Sequence, residues 1–89
     1  MATNRFHTDR HGDSITVMVY TDRASSDIEL LVNGKEVALG RIGDSGTCEL
    51  DAPLPTTPPT PVHVTVRHPG RDGAPECTLL IDGVEQPFD

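Results

Sequence analysis

The chain has 89 residues, and its 14 acidic and 7 basic side chains give a formal net charge of −7. One domain fits this length, and so few Lys and Arg argue against direct binding to DNA or RNA, which needs clustered cations. Because no apolar run is long enough for a membrane span or a signal peptide, we expect a cytoplasmic protein without membrane contact. The excess of Arg over Lys suggests a bacterial source.

The N-terminal segment is polar, carries charges of both signs and shows no hydrophobic period. We therefore predict a flexible tail over residues 1–13 and a single folded domain over residues 14–89. The first strand of this domain is predicted at about 14–21, where apolar and other residues alternate. Its inner face would carry Ile15, Val17 and Val19, and its outer face Thr16, Met18 and Tyr20.

The next two strands, at about 28–32 and 35–42, flank the dipeptide Asn33-Gly34. This dipeptide is a strong signal for a two-residue hairpin, because both turn residues must adopt positive φ. Counting outward from the turn pairs Leu30 with Val37 and Ile28 with Leu39. The inner face of this hairpin would then hold Ile28, Leu30, Val32, Val37 and Leu39.

The second half of the chain repeats this order of strand, loop, strand and two-residue turn. A short strand at about 47–50 precedes a segment with five prolines, 53–61, which we predict to be an extended crossover between sheets. Three further strands are predicted, the last two forming a hairpin around Asp82-Gly83, and Pro87 should make the final strand an edge. Their approximate ranges are 62–67, 77–81 and 84–88.

About seven short antiparallel strands without a helical period predict an all-β fold. We expect a two-sheet sandwich with two related hairpin halves, and the alternative is a small partly open barrel. The two strand ends, Leu31-Val32-Asn33-Gly34-Lys35 and Leu80-Ile81-Asp82-Gly83, resemble one half of the Fas apoptotic inhibitory molecule family. The tryptophans of that family are absent here, and the resemblance implies a sandwich but no function.

No arrangement of residues in the sequence predicts a catalytic site, a metal site or a cofactor. Nucleophilic catalysis would need a Ser or Cys with a base and an orienting acid, and no spacing singles out such a set. Cys48 and Cys77 are expected to be reduced, buried thiols on inner strand faces; the alternative is that they pair in an oxidising compartment. His63 is predicted on the outer face of its strand and His68 in a loop, both at the surface. We therefore expect that the protein is not an enzyme.

The alternation of side chains along the predicted strands points four large side chains toward solvent on the outer faces: Met18, Tyr20, Leu31 and Leu80. Several apolar groups on such a face indicate a contact surface. We expect a non-catalytic, acidic protein-protein interaction or accessory module that binds a protein partner or itself. One alternative is an acidic inhibitor that occupies the basic groove of a nucleic-acid-binding enzyme. Another is a small ligand-binding protein or enzyme that uses His63 or His68.

Overall fold

A computed structural model describes residues 2–10, 12–43, 46–70 and 73–88, and all their regular elements are β-strands. The strands form two antiparallel four-stranded sheets, ordered β1-β2-β3-β4 and β5-β6-β7-β8. This confirms the predicted two-sheet sandwich, with each half of the chain forming one sheet. The strands are β1 (Ala2–Arg10), β2 (Asp13–Thr21), β3 (Ser26–Val32), β4 (Lys35–Ile42), β5 (Gly46–Leu54), β6 (Thr60–His68), β7 (Glu76–Ile81) and β8 (Val84–Gln86).

The inner faces of the two sheets share one hydrophobic core. Alternation along each strand sends every second side chain toward the opposite sheet, so β-branched residues and Leu fill the space between them. The buried apolar residues are Ile15, Val17, Val19, Ile28, Leu30, Val32, Ile42, Leu50, Ala52, Leu54, Val62, Val64, Val66, Leu79 and Ile81. The other face of each sheet points away from this core.

Each half contains the same two-residue turn. Asn33 and Gly34 have φ values of 54° and 80°, and Asp82 and Gly83 have φ values of 52° and 79°. Positive φ at both positions is the type I′ geometry, which matches the twist of the flanking strands. Both turns were predicted from the sequence and are confirmed, so the two halves share one hairpin design.

The predicted flexible tail over residues 1–13 is wrong for residues 2–10, which form strand β1. This strand pairs with β2 along its whole length, and the Phe6 ring packs against that of Phe88, with centroids 5.6 Å apart. The strand lacks a hydrophobic period because Phe6 is the one large apolar residue on its inner face. Register with β2 gives that face as Asn4, Phe6, Thr8 and Arg10.

The register between β3 and β4 also differs from the prediction. Leu31 lies opposite Glu36 as expected, but Leu30 lies opposite Ala38 instead of Val37. Val37 is therefore the extra residue of a β-bulge. Beyond the bulge the faces of β4 are exchanged, so that Leu39, predicted to be in the core, is 64% exposed.

The proline-rich segment is a hairpin loop within the second sheet, not the predicted crossover between sheets. It connects β5 to β6, and Pro53 lies opposite Pro61 in their register. The chain changes sheets between β4 and β5 instead. The sequence Gly43-Asp44-Ser45-Gly46 predicts a turn at this point, but residues 44 and 45 lie outside the described residues. Gly40 allows the two sheets to pack closely beside this connection. A Cβ atom at this position would overlap the Cys48 sulfur.

Candidate interaction surface

The structure divides the four predicted contact residues between two outer faces. Met18, Tyr20 and Leu31 lie on the outer face of the first sheet, because each alternates with buried residues of β2 or β3. Leu80 lies on the outer face of the second sheet, on β7 between the buried Leu79 and Ile81. The predicted contact residues therefore belong to two separate surfaces.

A row of four cross-strand partners defines the centre of the first outer face. Arg5 pairs with Met18, Met18 with Glu29, and Glu29 with Leu39. Leu39 is a surface residue that sequence reasoning missed, because the bulge that turns it outward has no residue signature. We call this surface the Met18 face, and it consists of Met18, Tyr20, Leu31 and Leu39 with the charged residues Arg5, Glu29 and Glu36.

Three acidic side chains of β3 and β4 on this side of the sheet differ in their hydrogen-bond partners. Arg41 Nε donates to Asp27 Oδ1 at 2.8 Å, and this hydrogen bond lowers the pKa of the Asp27 carboxyl. Glu29 accepts a hydrogen bond from the Tyr20 hydroxyl at 3.3 Å. The pKa of Glu36 is raised, chiefly by its hydrogen bond with Glu29. Among the described residues, the Glu29 and Glu36 carboxylates have no cationic partner.

The second outer face has a different chemistry, because His63 lies there between two carboxylates. Its Nδ1 is 2.6 Å from Asp51 Oδ1 and its Nε2 is 3.0 Å from Glu49 Oε1. Ionised carboxylates only accept hydrogen bonds, so both ring nitrogens can donate only when the imidazole is protonated. The hydrogen bond to Asp51, supported by that to Glu49, raises the pKa of His63. This face is thus a charged strip beside Leu80.

His68 lies on the inner side of the sandwich, which corrects the prediction of a surface loop. It ends β6, is 4% exposed, and its Nδ1 accepts a hydrogen bond from the Gly70 N–H at 3.2 Å. The two histidines therefore point to different faces and share no site. An open depression of about 280 Å³ beside β5 and β6 has neither of them in its wall. Across the described ranges, no three His, Cys, Asp or Glu side chains are placed to hold a metal ion.

Cys48 and Cys77 cannot form a disulfide within this fold. Both lie opposite Val66, on the two strands that flank β6, so about 10 Å separates their backbones. A disulfide requires Cα atoms within roughly 7 Å, and both thiols are free. Burial raises the pKa of Cys77 to about 12, which leaves little reactive thiolate at neutral pH.

No protein-family model matches this chain, and no similar protein is found among curated proteins or among solved structures. The resemblance of the two hairpins to the Fas apoptotic inhibitory molecule family thus contributes nothing beyond the fold. Among the described residues, no helix is long and apolar enough to cross a membrane. A function can therefore be inferred only from the geometry of the surface.

Proposed function

We propose that this chain is a non-catalytic interaction module that binds a protein partner through the Met18 face. The observation that carries the proposal is that Leu39, which is 64% exposed, shares one sheet face with the half-buried Met18 and Leu31. Glu29 lies between Leu39 and Met18 in the register. Several apolar side chains on one sheet face favour a contact that removes them from water. The large apolar side chains exposed in the described residues are Tyr20, Val37, Leu39 and Val84, and three of them lie on β2 and β4.

The residue types of the Met18 face support the same function. Met and Tyr are enriched in protein interfaces, where a flexible thioether and a large ring fill irregular contacts. The Tyr20 ring offers apolar area while its hydroxyl is oriented by Glu29 at 3.3 Å. The charged groups interspersed among these apolar side chains would select the partner rather than supply most of the affinity.

The second outer face supports a partner contact less well. Leu80 lies between His63 and Glu85 in the sheet register, so ionisable side chains flank it on both sides. Arg67 and Glu76 form a further ion pair on this face, at 3.3 Å. Leu80 is therefore a suitable control position for tests of the Met18 face.

The free thiols of Cys48 and Cys77 are compatible with a reducing compartment. We keep the cytoplasm as part of the proposal for this reason. A disulfide would require a strand arrangement other than the one described above, so an oxidising compartment brings no stabilising bond to this fold.

The proposal is tested by capturing partners from an extract of the source cells on immobilised wild type, Leu39→Glu and Leu80→Glu. Leu39 is mostly exposed, so its substitution should leave the melting temperature nearly unchanged. We expect wild type and Leu80→Glu to retain the same proteins, and Leu39→Glu to retain at least about tenfold less. Equal retention by all three folded proteins would contradict the proposal, as would a loss confined to Leu80→Glu.

A further inference from the structure

We infer that the open edge of strand β1 pairs with the same edge of a second copy of this chain. The two strands run antiparallel about a two-fold axis perpendicular to the sheet, which joins two four-stranded sheets into one continuous sheet. The inference goes beyond the proposed function, because it uses the edge of the first sheet and not the Met18 face. It follows from the backbone groups that this edge leaves unpaired and from the charges beside them.

Every second residue of β1 directs its backbone N–H and C=O groups away from β2. Antiparallel partners alternate between pairs that exchange hydrogen bonds and pairs that do not. Asp9 lies opposite Ser14, whose N–H donates to the Asn33 side chain and whose C=O accepts from the Asn33 N–H. Asp9 and Ser14 are therefore a non-bonded pair, and no described strand pairs with the other side of β1. The outward backbone groups belong to the alternate residues Thr3, Arg5, His7 and Asp9.

Each of the other edge strands carries a feature that hinders the addition of a strand. β8 has three residues and is followed by Pro87, β4 has the bulge at Val37, and β5 contains Pro53. Short strands, bulges and prolines are common means by which proteins protect sheet edges. β1 has nine residues, no proline and an unbroken register with β2. It is therefore the edge of this sandwich that is best suited to pair with another strand.

The charges along this edge complement those of a second copy. Arg5 and Asp9 are exposed, and they lie two residues before and two residues after His7. A two-fold axis through His7 sets Arg5 of each copy opposite Asp9 of the other, so that a pair of opposite charges forms twice. Side chains directly opposite on one face have Cβ atoms about 5 Å apart, which lets the guanidinium reach the carboxylate. Within one copy, Arg5 has no ion-pair partner in the described part of the chain.

Two neighbouring registers that also keep the sheet faces matched use these charges less well. An axis through Phe6 sets Arg5 opposite His7 and Asp9 opposite Thr3, so neither charged side chain lies directly opposite the other. An axis through Arg5 sets the two Arg5 side chains against each other, and like charges directly opposite are destabilising. Of these three registers, the charges select the one centred on His7.

A strand from another protein fits this edge only if it carries an acid and a base at the same spacing. A basic strand is attracted by the net charge of −7, but it brings a like charge against Arg5. A second copy supplies both signs at the required positions. In a symmetric dimer one surface must complement itself, and the edge of β1 does so.

The dimer has a consequence for the proposed function. Because the two-fold axis is perpendicular to the sheet, the Met18 faces of both copies lie on the same side of the joined sheet. A partner with two binding sites can then contact both faces at once, which raises its overall affinity without any new kind of contact.

The experiment measures molar mass by light scattering during size-exclusion chromatography. It uses chain concentrations up to about 1 mM at about 150 mM salt, where a Debye length of about 8 Å screens the repulsion between two acidic chains. Wild type should reach twice the 9.6 kDa chain mass. Arg5→Glu and Asp9→Arg should each weaken the dimer at least about tenfold, because each turns two attractive cross-strand pairs into two repulsive ones.

An equal mixture of Arg5→Glu and Asp9→Arg should dimerise again, because each variant supplies the charges that the other lacks. This recovery also shows that both variants are folded. Lys35→Glu is the matched charge reversal at an exposed position of β4, the opposite edge strand, and it should leave the mass unchanged.

A wild type that stays monomeric at every concentration would overturn the inference. A dimer that both charge reversals leave intact would also overturn it, as would folded variants that remain monomeric when they are mixed.

Leu39→Glu separates this inference from the proposed function. Leu39 lies on β4, so Leu39→Glu should dimerise as wild type does. A dimer that Leu39→Glu abolishes would place the contact on the Met18 face, which overturns the edge pairing and supports the proposed function. A monomeric wild type whose capture of another protein depends on Leu39 would likewise leave the proposed function standing.

Discussion

Leu31 and Leu80 occupy equivalent positions on opposite outer faces of the sandwich, each two residues before the first positive-φ residue of a type I′ turn. Their surroundings differ. Leu31 lies between Thr16 and Glu36, whereas Leu80 lies between the His63 imidazole and Glu85. The two halves therefore share the same hairpin backbone but differ in their surface side chains. A function carried by one outer face need not be carried by the other.

Asn33→Ala should lower the free energy of unfolding by about 1–2 kcal/mol. An Ala at φ of 54° enters the left-handed region at a cost of about 1–2 kcal/mol relative to ordinary backbone. The Asn33 side chain also accepts a hydrogen bond from the Ser14 N–H at 2.9 Å. Asn33→Gly keeps the conformation but loses that bond, so urea unfolding should show a smaller loss for it. A wild-type midpoint in the Ala variant would rule out the type I′ turn.

Leu30→Ala and Leu79→Ala should each cost about 2–5 kcal/mol, because both side chains are fully buried and their truncation leaves a cavity. Leu39→Ala is the matched control on the solvent side and should cost under about 0.5 kcal/mol. Chemical denaturation of the three variants checks the register directly. A Leu39→Ala loss as large as that of Leu30→Ala would mean that the bulge at Val37 is absent and that Leu39 points inward.

Thr8→Val should raise the stability of the protein by about 1 kcal/mol. Thr8 is fully buried, and among the described residues its hydroxyl has no hydrogen-bond partner. Valine has nearly the same shape, and it removes a hydroxyl that is buried away from water without a hydrogen-bond partner. The exposed Thr3, on the same strand, supplies the control Thr3→Val, which should change little. If Thr8→Val instead lowers the melting temperature, the hydroxyl has a partner.

The stability contributed by His63 should fall as the pH rises. Its folded-state pKa lies above the ordinary 6.5, chiefly through the hydrogen bond to Asp51. The native state then holds the proton more tightly than the unfolded chain. The stabilisation is complete below about pH 6.5 and is lost as the pH rises through the raised folded-state pKa.

Urea unfolding from pH 5 to pH 9 of wild type and His63→Gln measures this effect, because the other histidines are common to both proteins. The stability difference between them should shrink toward alkaline pH. Asp51→Asn should move the change to lower pH, since it removes the largest cause of the raised pKa. Parallel stability curves for wild type and His63→Gln would show that the His63 contacts with Asp51 and Glu49 do not form in solution.

The two hairpins were predictable because their signals are local. Asn33-Gly34 and Asp82-Gly83 are residue pairs that tolerate positive φ, and alternating Val, Ile and Leu flank both turns. Strand β1 escaped prediction because its inner face mixes Phe6 with polar groups such as Thr8. Such a strand is held in place by its pairing with β2, so hydrophobic periodicity in the sequence does not reveal it.

The Met18 face was only partly predictable, for a related reason. Alternation identified Met18, Tyr20 and Leu31 as outward residues. The bulge at Val37, which turns Leu39 outward, depends on how β4 fits against β3 and against the second sheet. Alternation alone does not show that Leu80 lies on a different sheet from these three residues, because the assignment of strands to sheets is a long-range property that no window of sequence contains.

The most direct test of the central claim, that the Met18 face binds a protein partner, compares two-dimensional amide NMR spectra of the chain with and without the proteins that immobilised wild type captures from an extract of the source cells. The predicted result is shifts or broadening at Arg5, Met18, Leu31 and Leu39 when these proteins are added, with His63 and Leu80 unchanged as internal references. Spectra that stay the same after the addition, or changes that cluster around His63 and Leu80, would contradict it.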